Sequence, residues 1–90
     1  MSKAQADPAE LRRFAADLNR FNTELTGLFQ AINSKLRALE QSWRDNEQRK
    51  FTEAFDQTAK GIGVFIDNSA VHVQMLNKKA ALLEEYLKQR

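Results

Sequence analysis

Few residues in this chain could carry chemistry. His72 is the only imidazole and there is no Cys, which excludes thiol catalysis, a disulfide scaffold and any cysteine-ligated metal. On a helix the neighbours of His72 at three and four residues are Asn68, Ser69, Met75 and Leu76. None is the charged or imidazole partner that a catalytic or metal-binding His uses. Ser69 also stands where the Glu-x-x-His spacing of di-iron bundles needs its Glu. Glu84 and Glu85 are adjacent and so about 100° apart on a helix, unsuited to paired acid and base work. Gly61-x-Gly63 is not a dinucleotide fingerprint, because the third glycine position holds Ile66 and no strand precedes it. The expectation is a protein that is not an enzyme, with no catalytic residue, no cofactor and no metal. Trp43 and Tyr86 remain. Trp43 either plugs the end of a core or offers its flat face as half of a recognition surface.

The elements that position these residues follow from the apolar rhythm. Ninety residues, 42% hydrophobic and 29% charged, with three Gly and one Pro, make one domain and lack the turn formers an all-β chain needs. Asp7-Pro8-Ala9-Glu10 reads as a helix start, with Asp7 as cap, Pro8 at the first position and Glu10 at capping-box spacing. Leu11, Phe14, Leu18, Phe21, Leu25, Leu28, Ile32, Leu36, Leu39 and Trp43 then follow in steps of three and four, the seam of one long helix. The rhythm lapses at Arg44-Asp45-Asn46-Glu47-Gln48, where Asp45 or Asn46 caps a second helix. Its seam reads Phe51, Phe55, Thr58 or Ala59, Ile62, Phe65 or Ile66, Ser69, Val73, Leu76, Ala80, Leu83 and Leu87. The spacing predicts a frayed N-terminus over 1–7, helix one over 8–43, a turn over 44–46, helix two over 47–88 and a C-terminal end at 89–90. So short a connection folds two rods back antiparallel. The fold class is therefore all-α, a helical hairpin with Trp43 at its turn.

Helix two carries a second apolar line, Val64, Val71, Met75, Leu82 and Tyr86, about one residue from its seam. A lone hairpin hides one stripe per helix and leaves this line in water. Two hairpins are therefore expected to pair into a four-helix bundle, as a homodimer or with a similar small helical protein. The expected dimer or bundle core is Phe14, Leu18, Phe21, Leu25, Leu28, Phe29 and Ile32 with Phe51, Phe55, Ile62, Phe65, Val73, Leu76 and Leu83. Gly61 and Gly63, costly inside a helix, mark close approach of a neighbouring helix, a slight bend, or a tolerant site.

The net charge of +2 is spread over alternating signs. Arg13/Asp17, Arg20/Glu24, Glu40/Arg44, Arg49/Glu53 and Asp56/Lys60 stand four apart, the spacing of helix-surface ion pairs. A solvated helix face explains them better than a nucleic-acid footprint, which calls for an unopposed basic stripe. Met1 to Glu10 contain no apolar run, so no Sec signal peptide is expected, and no stretch is apolar enough for a transmembrane segment.

Ser42-Trp43-Arg44-Asp45 in a short central turn, with Phe51 eight residues after the Trp in Arg49-Lys50-Phe51-Thr52-Glu53-Ala54-Phe55, resembles the WXG-motif family of ESAT-six-like small proteins over essentially the whole chain. The resemblance implies a helical-hairpin dimer exported folded, without a Sec signal peptide, through type VII (ESX) secretion. A membrane ATPase of the FtsK/SpoIIIE class drives that export. It also implies a bipartite signal in which the turn Trp and a C-terminal Tyr-x-x-x-Asp/Glu meet at one end of the dimer, so that Trp43, with Arg44 and Asp45, and Tyr86 carry recognition. Two positions depart from the pattern. Asp45 stands where the family has Gly, so Asp45 or Asn46 has to supply the left-handed backbone freedom of that Gly. Arg90 stands four after Tyr86 in place of the acid. A subunit lacking that acid travels with a partner that carries the signal, uses another signal, or stays in the cytoplasm. Two other functions fit the residues: a cytosolic helical adaptor or chaperone, and a nucleic-acid-binding hairpin using Arg12, Arg13, Arg49, Lys50, Lys78 and Lys79.

Overall fold

The computed structural model describes residues 6–89, as two antiparallel helices, α1 (Pro8–Leu39) and α2 (Asn46–Lys88). Residues 1–5 and 90, part of the expected frayed start and C-terminal end, lie outside the described residues. The hairpin measures 67 × 19 × 16 Å. Its length is that of α2 alone, whose 43 residues at about 1.5 Å each reach roughly 65 Å.

Each helix begins on a carboxylate cap. Asp7 Oδ1 accepts from the Ala9 amide at 2.9 Å, and Asp45 Oδ1 from the Gln48 amide at 3.0 Å, satisfying amides that have no partner inside the helix. Asp7 is thus the ordered start of α1 and not part of a frayed segment. At the other end α1 stops at Leu39, four residues before the expected Trp43. The last turn tightens: Gln41 N donates to Ala38 O and Ser42 N to Leu39 O, the three-residue spacing of a 3₁₀ turn. Arg44 Nε then closes on the Glu40 carbonyl at 3.1 Å. The connection therefore runs over residues 40–45, longer than the expected 44–46. With six residues to reverse direction, no left-handed residue is needed. Asp45 sits at φ −99°, ψ −172°, and no non-glycine residue among those described has positive φ, which corrects the expectation that Asp45 or Asn46 replaces a left-handed Gly.

The inward stripe differs from the seam read in sequence. On α1 the buried and half-buried residues are Pro8, Leu11, Ala15, Leu18, Asn22, Leu25, Phe29, Asn33 and Leu36. On α2 the stripe is Gln48, Thr52, Phe55, Ala59, Ile62, Ile66, Ser69, Val73, Leu76, Ala80 and Leu83, in steps of three and four, with Asp56, Asn77 and Glu84 half-buried beside it. Of the expected core, Leu18, Leu25, Phe29, Phe55, Ile62, Val73, Leu76 and Leu83 lie on this stripe. Phe14, Phe21, Leu28, Ile32, Phe51 and Phe65 are exposed in the single chain. The physical reason is size. Ala15 and Ala80, buried to 1% and 0% exposure, let the backbones approach, and the hairpin closes along the edge of the large apolar residues rather than along their centre. No large side chain is fully buried, so the hairpin alone has a seam and no interior.

Candidate interaction surface

The two edges of the seam have opposite chemistry. Four charged residues stand one position after the inward stripe: Arg12 follows Leu11, Arg37 follows Leu36, Asp56 follows Phe55 and Glu84 follows Leu83. They meet across the helices. Arg12 grips Glu84 with both nitrogens, at 2.8 and 2.9 Å, and Arg37 reaches Asp56 at 2.8 Å. The first joins the start of α1 to the end of α2 and the second the end of α1 to the start of α2, the signature of an antiparallel hairpin. The bidentate bond from Arg12, aided by its charge and that of Lys88, holds the Glu84 carboxyl below the usual carboxylate range. The Asp56 bond likewise raises Arg37, and the Glu84 bond raises Arg12.

One position before the inward stripe stand most of the exposed large apolar residues, among polar and charged ones such as Glu10, Asp17 and Glu24. Phe14, Phe21, Leu28 and Ile32 precede Ala15, Asn22, Phe29 and Asn33; on α2, Phe51 and Phe65 precede Thr52 and Ile66. One residue is a rotation of about 100°, so these lie on the opposite edge. The edge-to-face contact of Phe21 with Phe65, ring centroids 6.4 Å apart, shows that the two helices contribute to one surface. Val64, Val71, Met75 and Leu82 widen it on α2, each more than half exposed, as expected for a second apolar line left in water. Large apolar patches are uncommon on the surface of soluble monomers.

At the turn, Trp43 is half-buried and its amide donates to Leu39 O at 2.9 Å. Arg44 is exposed and spends its Nε on the Glu40 carbonyl; Asp45 is the cap of α2. Tyr86 is 64% exposed near the far end of α2. One chain therefore keeps Trp43 and Tyr86 at opposite ends of the hairpin.

The turn also holds a polar cluster that the sequence reading missed. Buried Gln48 donates through Nε2 to Glu40 Oε2 at 2.8 Å and to Thr52 Oγ1 at 2.7 Å, and Thr52 and Arg37 reach the same Glu40 oxygen at 3.2 and 3.1 Å. Gln48, whose amide donates to the cap Asp45, thus sends its side chain across to α1. The available signal was its position, since Gln48, Thr52 and Phe55 continue the steps of the α2 stripe into the turn. Of the five pairs expected at four-residue spacing none forms an ion pair among the described residues; Arg20 and Arg37 instead meet acids three residues away, Asp17 and Glu40.

His72 is exposed, and among the described residues no group of His, Asp and Glu could hold a metal ion. No described helix is long and apolar enough to cross a membrane. The basic residues considered for nucleic acid form no single stripe: Arg12 is paired to Glu84, Arg49 donates to Asn46, and Lys78 and Lys79 lie at the other end of α2 from Lys50. Around Gly61 and Gly63 an added Cβ would meet nothing within 4 Å and α2 continues unbroken, so neither a neighbouring helix within the chain nor a break explains them.

A family model described as proteins of 100 residues with WXG, WXG100, matches residues 3–86. No curated protein and no solved structure matches the chain.

Proposed function

The chain belongs to the WXG100 family, and on that premise we propose that it is a small non-enzymatic protein of a type VII secretion system, exported as a substrate or with a partner. It acts by pairing and by protein interaction. The observation that carries this reading is the family match over nearly the whole chain; the exposed apolar face supports the pairing. That face is covered by another helical hairpin, giving a four-helix bundle. Export needs no Sec signal peptide and is driven by a membrane ATPase of the FtsK/SpoIIIE class. Trp43 and Tyr86, apart in one chain, become neighbours only if a second chain brings its opposite end alongside. Recognition by the secretion machinery is therefore a property of the pair.

The test is the culture supernatant of cells with and without an active secretion ATPase. The protein is expected outside only when the ATPase works, and retention in the cell despite an active ATPase overturns export. Trp43→Arg is expected to block export while leaving a helical, paired protein. If it unfolds the chain, Trp43 is a core plug and not a recognition residue.

One observation favours a second reading. Arg90 replaces the acid that the family's signal has four residues after its Tyr. A cytosolic adaptor or chaperone would account for that change, and capture of a stable, non-homologous partner from the cytoplasm would support it.

A further inference from the structure

Between its two cross-helix ion pairs the charged edge of the hairpin opens into a cleft. Thr23, Thr26 and Gly27 of α1 and Gly63, Asp67 and Ala70 of α2 line it, above half-buried Ile66. All but Gly27 stand one position after the inward stripe, so the pairing proposed above, on the opposite edge, leaves this cleft in water. Both walls have room, since a Cβ added at Gly27 or Gly63 would meet nothing within 4 Å. One lining side chain is buried: Asn22 is 7% exposed, and no donor among the described residues reaches its Oδ1. A buried acceptor left without a donor is costly, and Asn22 keeps that cost in a seam whose neighbours Leu18 and Leu25 are apolar. The hydroxyls nearby cannot relieve it. Thr23 Oγ1 donates its proton to the Asn19 carbonyl at 3.1 Å and Thr26 Oγ1 to the Asn22 carbonyl at 2.9 Å, so both can only accept from the cleft. Asp67 adds a carboxylate, and among the described residues no cation lines the cleft. Asn19 and Gln30, also on its wall, each offer one carbonyl and one NH2, which leaves the surplus on the acceptor side. Such a surface calls for charged N–H donors.

We propose that this cleft docks a basic helix of a protein partner, with a lysine or arginine of that helix donating to Asn22 Oδ1 and facing the carboxylate of Asp67. From Asn19 to Gln30 the cleft follows α1 for about 16 Å, some three turns of a helix laid in the groove between α1 and α2. Its walls are exposed along that length, which suits a segment of chain rather than an enclosed small molecule. The chain as a whole carries a net charge of +2 and offers a basic partner no general attraction. The acceptors of the cleft have to hold it.

The full chain is titrated with an alanine-rich helical peptide carrying lysines, and with a glutamate-carrying peptide of the same length, and amide NMR shifts are followed. The lysine peptide is expected to move amides between Asn22 and Gly27 and between Gly63 and Ala70; the glutamate peptide is expected to move none of them. Asn22→Leu removes the acceptor at similar shape. It should weaken the lysine peptide about tenfold or more and raise the Tm of the free chain, because an apolar side chain then fills an apolar site. Asp67→Asn, an exposed change, should weaken the peptide less, and both variants should sediment as wild type does. No binding of the lysine peptide, equal binding of the glutamate peptide, or shifts confined to the apolar edge overturns the docking site. An Asn22→Leu chain that binds the lysine peptide as tightly as wild type, or melts below it, overturns the role of Asn22. A wild-type chain that sediments as a monomer and still binds through the cleft overturns the pairing and leaves the cleft standing.

Discussion

The two edges of the hairpin seam have the same backbone and nearly the same length but different completeness. Along one, Arg12 meets Glu84 and Arg37 meets Asp56, so the chain satisfies its charges by itself. Along the other, Phe14, Phe21, Leu28, Phe51 and Phe65 stand about half exposed or more, with the rings of Phe21 and Phe65 in contact across it. One edge fixes how the chain folds back on itself. The other stays exposed in the single chain, the face that the proposed pairing would cover, and a shift of one residue from the inward stripe decides on which edge a side chain lies.

The largest expected effect comes from putting a charge on the unfinished edge. Phe65→Glu should weaken pairing by about 100-fold or more, since a carboxylate without a partner would be buried in the contact. Thr26→Glu, on the ion-paired edge, should leave pairing unchanged. Sedimentation equilibrium of both variants checks the contrast, and equal loss in the two would erase the distinction between the edges.

The sequence made the hairpin readable because caps and steps of three and four are local signals. Asp7, Pro8 and Asp45 mark both starts, and the lapse after Trp43 marks the turn. It did not reveal which part of each apolar band faces inward. Leu11, Phe14, Leu18 and Phe21 look like one seam until Ala15 and Asn22, small and polar, prove to be the residues at closest approach. That choice depends on how near the backbones come, which is a property of the pair of helices. The Glu40–Gln48–Thr52 cluster was hidden for the same reason, since its members are ordinary surface types until the turn brings them together. Trp43 was noticeable from its type and place alone.

A second, smaller effect separates seam from edges. Ala80→Leu should overfill the contact with α1 and cost about 1–3 kcal/mol, read as a lower Tm; the same change at Ala81, exposed on α2, should move Tm little. Below that, Asp45→Ala removes the cap of α2 and should cost about 1 kcal/mol, measured by denaturant unfolding.

The ion-paired edge should show the smallest effect, because both members of the Arg12–Glu84 pair are well exposed and such pairs contribute little. Its direction is still fixed. Glu84 is held below its ordinary value of 4.5, so its contribution is present above that value and is lost as pH falls through the lowered one. Glu84→Gln should therefore lower Tm slightly near neutral pH and flatten the acid side of the Tm–pH curve, with both differences shrinking in high salt. A Tm–pH curve unchanged by Glu84→Gln would show that the pair does not hold the hairpin's open end.

The central claim is that the apolar edge is half of a larger core. Sedimentation equilibrium of the purified chain at micromolar concentration tests it most directly. The account predicts a particle of about twice the 10.3 kDa chain mass that dissociates in the Phe65→Glu variant. A fully helical wild-type monomer of 10.3 kDa at that concentration would contradict it.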